Sequence, residues 1–341
     1  MNLIRESLFY SAMRSFLKTL MAVIGFAIAS FVILIAFSMF SSPYRIQDLT
    51  NVTILPDENG SSAVLANNSP VILQIDITDE IGNQNLNFDI VSTILHSSRE
   101  GLFAHDRVKA ILLNINSPGG TVTDSDNIYR ALLAYKAKHN VPVYAYVQGL
   151  CASGAYYISC AADKVSATPT SIVGSVGVIL GPQFNFANFM DRYGVKAKII
   201  SEGINKAPFL PFIKWPEGEE AKKAEQPIRD LTAFYYQRFV SIVTKARPML
   251  SEKELINNYG ANIFAAETAK NYGYIDEADS TREEVLKELA KGAGIEGPYQ
   301  CVSMSLVQPF FADVLQGKFS LMKMLLPDHR PPYHRYLYLM E

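Results

Sequence analysis

Apolar positions change rhythm several times along this chain, and the first change is the sharpest: residues 19–40 (TLMAVIGFAIASFVILIAFSMF) carry no charge at all. At about 1.5 Å per residue, a helix of that length spans the ~30 Å hydrocarbon core of a bilayer. Residues 43–69 then turn polar and rich in turn-forming types, the composition of a tether. Beyond them, residues 71–77 (VILQIDI) predict a strand, and Phe88, Val91, Ile94 and Leu95 recur at helical spacing. Residues 108–115 (VKAILLNI) are nearly continuously apolar, as in a strand covered on both faces. Asp124 or Asp126 starts a helix that turns Ile128, Leu132 and Leu133 inward, and residues 143–147 (VYAYV) form the next strand. Residues 172–180 (IVGSVGVIL) predict another, interrupted by Gly174 and Gly177 where backbone or substrate can approach closely. This alternation implies a mostly parallel sheet covered by helices. After Lys206 the pattern becomes helical: residues 217–247 place Ile228, Leu231, Phe234, Tyr235, Phe239 and Ile242 on an amphipathic helix stopped by Pro248, and residues 281–292 form another. Residues 302–326 are apolar with breaks at Pro309 and Gly317, and there is no internal repeat.

Composition narrows the function classes. The chain has 341 residues, is 49% hydrophobic and carries a formal net charge of −2, which gives no reason to expect nucleic acid or an acidic polymer as partner. Arg5, Arg14 and Lys18 precede the uncharged run against only Glu6, so the positive-inside rule puts the N-terminus in the cytoplasm and the chain beyond residue 42 outside. A cleaved signal peptide is the alternative to an anchor, but its apolar region usually runs ~7–15 residues, and this one is longer. The expected organisation is therefore a cytoplasmic N-terminus over residues 1–18, an anchor over 19–40, a tether over 41–69, a folded domain over 70–295 and a C-terminal extension over 296–341. Three cysteines, Cys151, Cys160 and Cys301, give no disulfide framework. Cys151 and Cys160 flank a helical segment that holds them too far apart to bridge. With no HExxH and no paired ligand spacing, no metal or organic cofactor is implied.

The candidate chemistry centres on Gly149-Leu150-Cys151-Ala152-Ser153-Gly154-Ala155-Tyr156-Tyr157, where a lone serine sits among small residues as a strand gives way to a helix. Unpaired N–H groups at the helix start favour developing negative charge beside Ser153. Cys151 is a rival nucleophile, although a small buried packing residue is its plainer reading. The five histidines are His96, His105, His139, His329 and His334, so none lies in the long stretch between His139 and His329 that contains the serine. A Ser-His-Asp triad would have to recruit His105 or His139 from upstream, and His139 sits among Lys136, Lys138 and Asn140 at the end of a surface helix. The other way to activate a serine is a desolvated, neutral lysine. Lys206, in SEGINKAPF, is the best candidate base; Lys214, in FIKWP, is the fallback, and Lys196 and Lys198 read as surface charges. A second turn, Asn116-Ser117-Pro118-Gly119-Gly120, also comes after a buried strand and before a helix, with N–H groups able to hold an oxyanion. Such a turn alone is common, but two on adjacent strands set donors and nucleophile at one carboxyl edge, where open α/β folds bind ligands.

The succession INSPGGTV, GLCASGAYYISCAADKVSATP, GSVGV and EGINKAP, over roughly residues 70–285 and with YGANIFAAETAKNYGYID near its end, resembles the signal peptide peptidase A family. That resemblance implies a Clp-protease/crotonase-like repeated ββα core with a helical C-terminal region, preceded here by one transmembrane helix. It implies a Ser/Lys endopeptidase on the outer, periplasmic side of the bacterial cytoplasmic membrane that degrades cleaved signal peptides and other unfolded apolar peptides. It further implies Ser153 as nucleophile, Lys206 as general base, the N–H groups of Gly120 and Gly154 as oxyanion hole, and a homo-oligomeric ring that pairs serine and lysine from neighbouring protomers. Cys151, Ala155 and the Ala207-Pro208 pair depart from the family's usual residues at those positions. Rival expectations are a stomatin-associated-type membrane protease, a non-catalytic ring scaffold and, sharing the fold, a crotonase-like acyl-CoA enzyme.

Overall fold

The computed structural model describes residues 2–40, 50–206 and 208–306, with side chains over 9–33 in the first stretch. The C-terminal extension past residue 306, including His329 and His334, lies outside the described residues, as does Ala207. Two units form. The first contains one helix, α1 (Asn2–Phe40), of which Phe9–Ile33 is long and apolar enough to cross a membrane and has no buried side chain. A helix apolar all round has no core-facing stripe, as expected of a chain solvated by lipid. Arg14 and Lys18 fall inside that stretch, so the candidate span begins earlier than the uncharged run at residue 19.

The second unit contains β1 (Thr50–Leu55), β2 (Val71–Ile77), α2 (Phe88–Ser97), β3 (Val108–Ser117), α3 (Val122–His139), β4 (Val143–Ala152), α4 (Gly154–Ser159), β5 (Lys164–Ala167) and β6 (Ile172–Gly174). Beyond these lie α5 (Ala187–Arg192), α6 (Gly218–Ala246), α7 (Glu252–Glu254), β7 (Ile263–Ala265), α8 (Ala266–Asn271), α9 (Arg282–Gly292) and β8 (Gln300–Leu306). The strands make one sheet in the order β1-β8-β2-β3-β4-β6-β7, with β5 also on β4. Its centre is parallel, and the antiparallel pairs β1–β8 and β6–β7 close its two ends. The two apolar runs at residues 71–77 and 108–115 become the central strands because both faces are covered. One face packs on α2, α3, α4 and the C-terminal third of α6; the other packs on α9 through Val285, Leu286 and Leu289.

Several local expectations shift. α3 begins at Val122 because Thr121, not Asp124 or Asp126, is its N-cap and accepts from the Asp124 N–H; Ile128 and Leu132 point inward, while Leu133 is exposed. The strand expected over 172–180 ends at Gly174, where Gly174 (φ 134°) and Ser175 (φ 57°) turn the chain out of the sheet. The stretch read as tether contains β1, and β8 lies past residue 295, so the sheet takes in strands on both sides of the expected domain boundaries. The largely exposed TNVTIL of β1 becomes a strand because β8 offers it a free edge.

Candidate active site

β3 and β4 run in register from Ile111/Val143 to Ile115/Val147 and then shift, with Ser117 opposite Cys151. Asn116 fills the irregularity by accepting the Leu150 N–H at 3.0 Å. Past this point each strand turns at the carboxyl edge of the sheet. In the first turn Ser117 Oγ donates to the Asp79 carbonyl at 2.6 Å and accepts the Gly119 N–H at 3.1 Å. Gly119 (φ 96°) and Gly120 (φ 156°) come next, in backbone that favours glycine. A side chain would also collide there: a Cβ on Gly120 would meet the Ile81 carbonyl oxygen at 2.0 Å, and one on Gly119 would meet Gly154 N at 2.6 Å and Ser153 Cβ at 2.8 Å. Ile81 donates to the Gly119 carbonyl and accepts from Thr121 N–H, a bridge that leaves the Gly120 N–H out of the ladder.

The second turn carries Ser153 at φ 53° and ψ −121°, a conformation that costs a non-glycine residue about 1–2 kcal/mol. It is held from both sides: the Ser153 N–H donates to the Gly174 carbonyl at 3.0 Å, and the Ser153 carbonyl accepts the Tyr157 N–H at 2.9 Å, which starts α4. All six residues of α4 are buried, so its first N–H, on Gly154, is fixed beside the serine. The two turns interlock; a Cβ placed on Gly154 would lie 3.3 Å from Gly120 N. Ser153, Gly120 and Gly154 are thus brought together, and strained backbone held by its surroundings is a recurrent property of functional sites.

Ser153 opens into a cleft of ≈ 780 Å³. Pro118 and Gly120 line its floor beside the serine, the extended segment from Ser175 to Leu180 forms one wall, and α6 forms the other through residues such as Glu225, Ile228, Arg229 and Tyr236. Ser175, a second serine in left-handed backbone, lines the cleft as well and donates its N–H to the Asn262 carbonyl at 2.8 Å. In the sequence Ser175 reads as part of a strand; the signal that could have set it apart is the pair of glycines around it.

The alternatives separate clearly. Cys151 is fully buried one residue before the turn, and burial pushes its thiol up to about 12, so it is a protonated packing group at neutral pH. Cys160 is likewise buried and pushed up to about 12, and neither forms a disulfide. His139 lines a shallow cavity with Val108 and Val141, at the amino ends of β3 and β4. Burial, then the Arg99 and Lys138 charges, lower its pKa. Since β4 has 10 residues at about 3.3 Å each, His139 lies at the wrong edge of the sheet for Ser153. His105 precedes β3 at that same edge, and His96 pairs with Glu100 at 3.1 Å in the last turn of α2. Lys206 is exposed on the arm between Gly174 and α6, its N–H donating to the Gly203 carbonyl at 3.3 Å, and is not among the residues lining the cleft of its own chain. Lys214 is exposed too and pairs with Asp191 at 3.4 Å, which holds it on α5. Among the described residues no group of side chains could hold a metal ion.

Two stretches of the chain match models of peptidase families. Residues 65–173 match the model of Clp protease, and residues 135–296 match that of peptidase family S49. Among relatives, a putative protease of Methanocaldococcus jannaschii is 35% identical over 196 residues, which cover 57% of this chain and 59% of that one. A putative signal peptide peptidase SppA of Enterococcus faecium is 31% identical over 186 residues (54% and 51%), and protease 4 of Salmonella typhi is 30% identical over 187 residues (54% and 29%). The resemblance to the signal peptide peptidase A family and the Clp-protease-like fold are borne out. The chain spans less than two thirds of the length of each of these three relatives.

Proposed function

We propose that this protein is a membrane-anchored serine endopeptidase acting on unfolded, apolar peptides, cleaved signal peptides among them. The observation that carries the reading is the interlocked pair of turns, with Ser153 in strained backbone lining the cleft and the Gly120 and Gly154 N–H groups beside it. Ser153 Oγ attacks the scissile carbonyl, the two N–H groups hold the oxyanion, and a neutral lysine takes the serine proton and returns it to the leaving amine. Water then attacks the acyl ester by the same path in reverse. The extended wall from Ser175 to Leu180 offers main-chain groups to a peptide laid along it as an added strand.

Lys206 is assigned as the base, supplied by a neighbouring protomer. On an open surface a lysine titrates near 10.4 and is neutral in only about one molecule in 2,500 at pH 7, so a lysine base needs burial against another surface. The arm that carries it is apolar and uncovered: Ile200 is 83% and Ile204 97% exposed, and Ile179, Leu180, Phe184 and Phe189 are exposed as well. Packing that arm on the next subunit would cover this surface and desolvate the amine. The Phe9–Ile33 helix serves as anchor, with the catalytic domain on the periplasmic side of the cytoplasmic membrane. The test is complementation. Ser153→Ala and Lys206→Ala proteins should each be inactive, and mixing them under subunit exchange should restore part of the activity. Demonstrated mixed assemblies with no recovery would refute a dyad shared between protomers, and a Ser153→Ala protein that still cleaves peptide would refute the nucleophile.

A further inference from the structure

The α6 wall of the cleft joins the main core through its C-terminal third, while Ala224 near its far end is buried outside that core. Residues 225–238 of α6 contain no buried side chain, whereas Phe239, Val240, Ile242 and Val243 are buried in the main core. Glu225, Ile228, Arg229, Thr232 and Tyr236, which line the cleft, all belong to this less buried stretch, in which Tyr236 packs on the core as a partly buried side chain. At its junction with the buried third sits Arg238, whose Nε and Nη2 donate to Asp126 Oδ1 at 2.9 and 2.5 Å. The same oxygen accepts the Tyr157 hydroxyl at 2.6 Å, and the Tyr157 ring packs on Phe239 with centroids 5.0 Å apart. Arg130 stands 3.9 Å from Asp126 Oδ2, and the Asp126 side chain is only 17% exposed.

Each helix that meets at this carboxylate carries a different part of the site. α3, bearing Asp126, comes directly after the Gly119–Gly120 turn; α4, bearing Tyr157 one turn after Ser153, starts at the nucleophile; α6, bearing Arg238, is the cleft wall. We propose that Asp126 is a positioning residue for peptide binding, which locks the α6 wall to the nucleophile-bearing helix through Tyr157 and Arg238. This rests on the peptidase reading of the cleft. From Arg238 to Glu225 the helix runs about 20 Å, so a tilt of about 10° at the junction moves the far end by about 3 Å, the length of one residue of extended peptide. Ser153 itself is fixed by its own bonds to Gly174 and Tyr157 N–H, so loosening the wall leaves its reactivity in place.

The experiment separates binding from reactivity in the full-length, detergent-solubilised protein. Asp126→Asn keeps an acceptor for Tyr157 but removes the charge that holds Arg238; Arg238→Gln, at a half-exposed position, makes the same break from the other side. Binding of a fluorescein-labelled apolar decapeptide is measured by anisotropy in a Ser153→Ala background, and the rate of Ser153 labelling by a small fluorophosphonate is measured in the parent. Both variants should bind peptide about tenfold more weakly, the scale of one charged hydrogen bond, and label within about twofold of the parent. Exchanging the charges, Asp126→Arg with Arg238→Asp, should recover part of the binding. Peptide affinity unchanged in both variants, or labelling that falls in step with binding, would overturn the assignment. A parent that neither binds peptide nor takes the label would instead sink the peptidase reading, and this inference with it.

Discussion

Gly119→Ala is the most direct probe of how the two turns depend on each other. The new Cβ would arrive 2.6 Å from Gly154 N, 2.8 Å from the Ala152 carbonyl oxygen and 2.8 Å from Ser153 Cβ. Ordinary contacts begin near 3.4 Å, so something must move by about 0.8 Å, and two of the three neighbours are backbone that no rotamer change can clear. The substitution also places alanine at φ 96°. Left-handed strain of about 1–2 kcal/mol and overpacking of about 1–3 kcal/mol sum to about 2–5 kcal/mol. For a domain of this size, that lowers Tm by roughly 4–20 °C and leaves a protein folded at 25 °C in all but the worst case. The effect on chemistry is larger, because a displacement near 1 Å at a reacting group costs on the order of a hundredfold in rate. The assay pairs a near-UV circular dichroism melt with the second-order rate of fluorophosphonate labelling at 25 °C. Labelling should slow about a hundredfold in protein that retains its near-UV spectrum. Native labelling together with native Tm would show that the Gly119 turn does not abut Ser153, and the oxyanion assignment of Gly120 and Gly154 would fall with it.

Other consequences can be checked independently. Ser153→Gly and Ser153→Ala should both take no label, but the glycine variant should melt higher, since it relieves about 1–2 kcal/mol of strain against about 0.5–1 kcal/mol of added chain entropy; equal or reversed melting points would contradict the strain at φ 53°. The Cys151 and Cys160 thiols, raised to about 12 in the fold against an ordinary value near 8.5, stabilise the protein fully below pH 8.5 and lose that contribution as pH climbs toward 12. Tm should therefore fall above pH 8.5, and the fall should flatten when both cysteines are replaced by alanine; parallel curves would refute it. Asp276→Ala strands the Arg247 guanidinium, 6% exposed and paired with Asp276 at 2.8 Å, and should cost about 3–5 kcal/mol, seen as a large loss of midpoint in urea. Protease added to intact spheroplasts should digest the domain after residue 50, and complete protection until lysis would reverse the orientation assigned to the anchor.

The turn that carries Ser153 was legible because its geometry is local. Small residues flank Ser153 between a β-branched, aromatic strand and a helix, and the geometry that results uses only neighbours in sequence and the next strand over. The central strands were legible too, as the apolar runs of β2 and β3 announce burial on both faces, though not their order in the sheet. β1 was not, because its identity as a strand depends on β8, far away in sequence, and its own pattern is that of a polar edge. The end of β6 at Gly174 was misread because apolar Val176, Val178, Ile179 and Leu180 continue the strand pattern, yet they serve as a cleft wall and an exposed arm. Nothing in the sequence ties Asp126 to Tyr157 and Arg238, since ion pairs between helices leave no periodic trace. Lys206 was singled out by its glycine and apolar neighbours and by family resemblance, and the single chain leaves it away from the cleft.

The strand order also bears on synthesis. β8 inserts between β1 and β2, so Thr50 faces Leu306 across a ladder that cannot form until the ribosome has nearly finished the described domain. Until then β1 has no partner and one side of β2 stands open, which leaves an early-emerging edge unpaired while every later helix is still being made. A nascent chain would thus hold β1 unpaired and the β2 edge open until β8 arrives. Sheet closure is in effect timed by chain length, and a chain cut short of β8 should expose the β2 edge and aggregate rather than work.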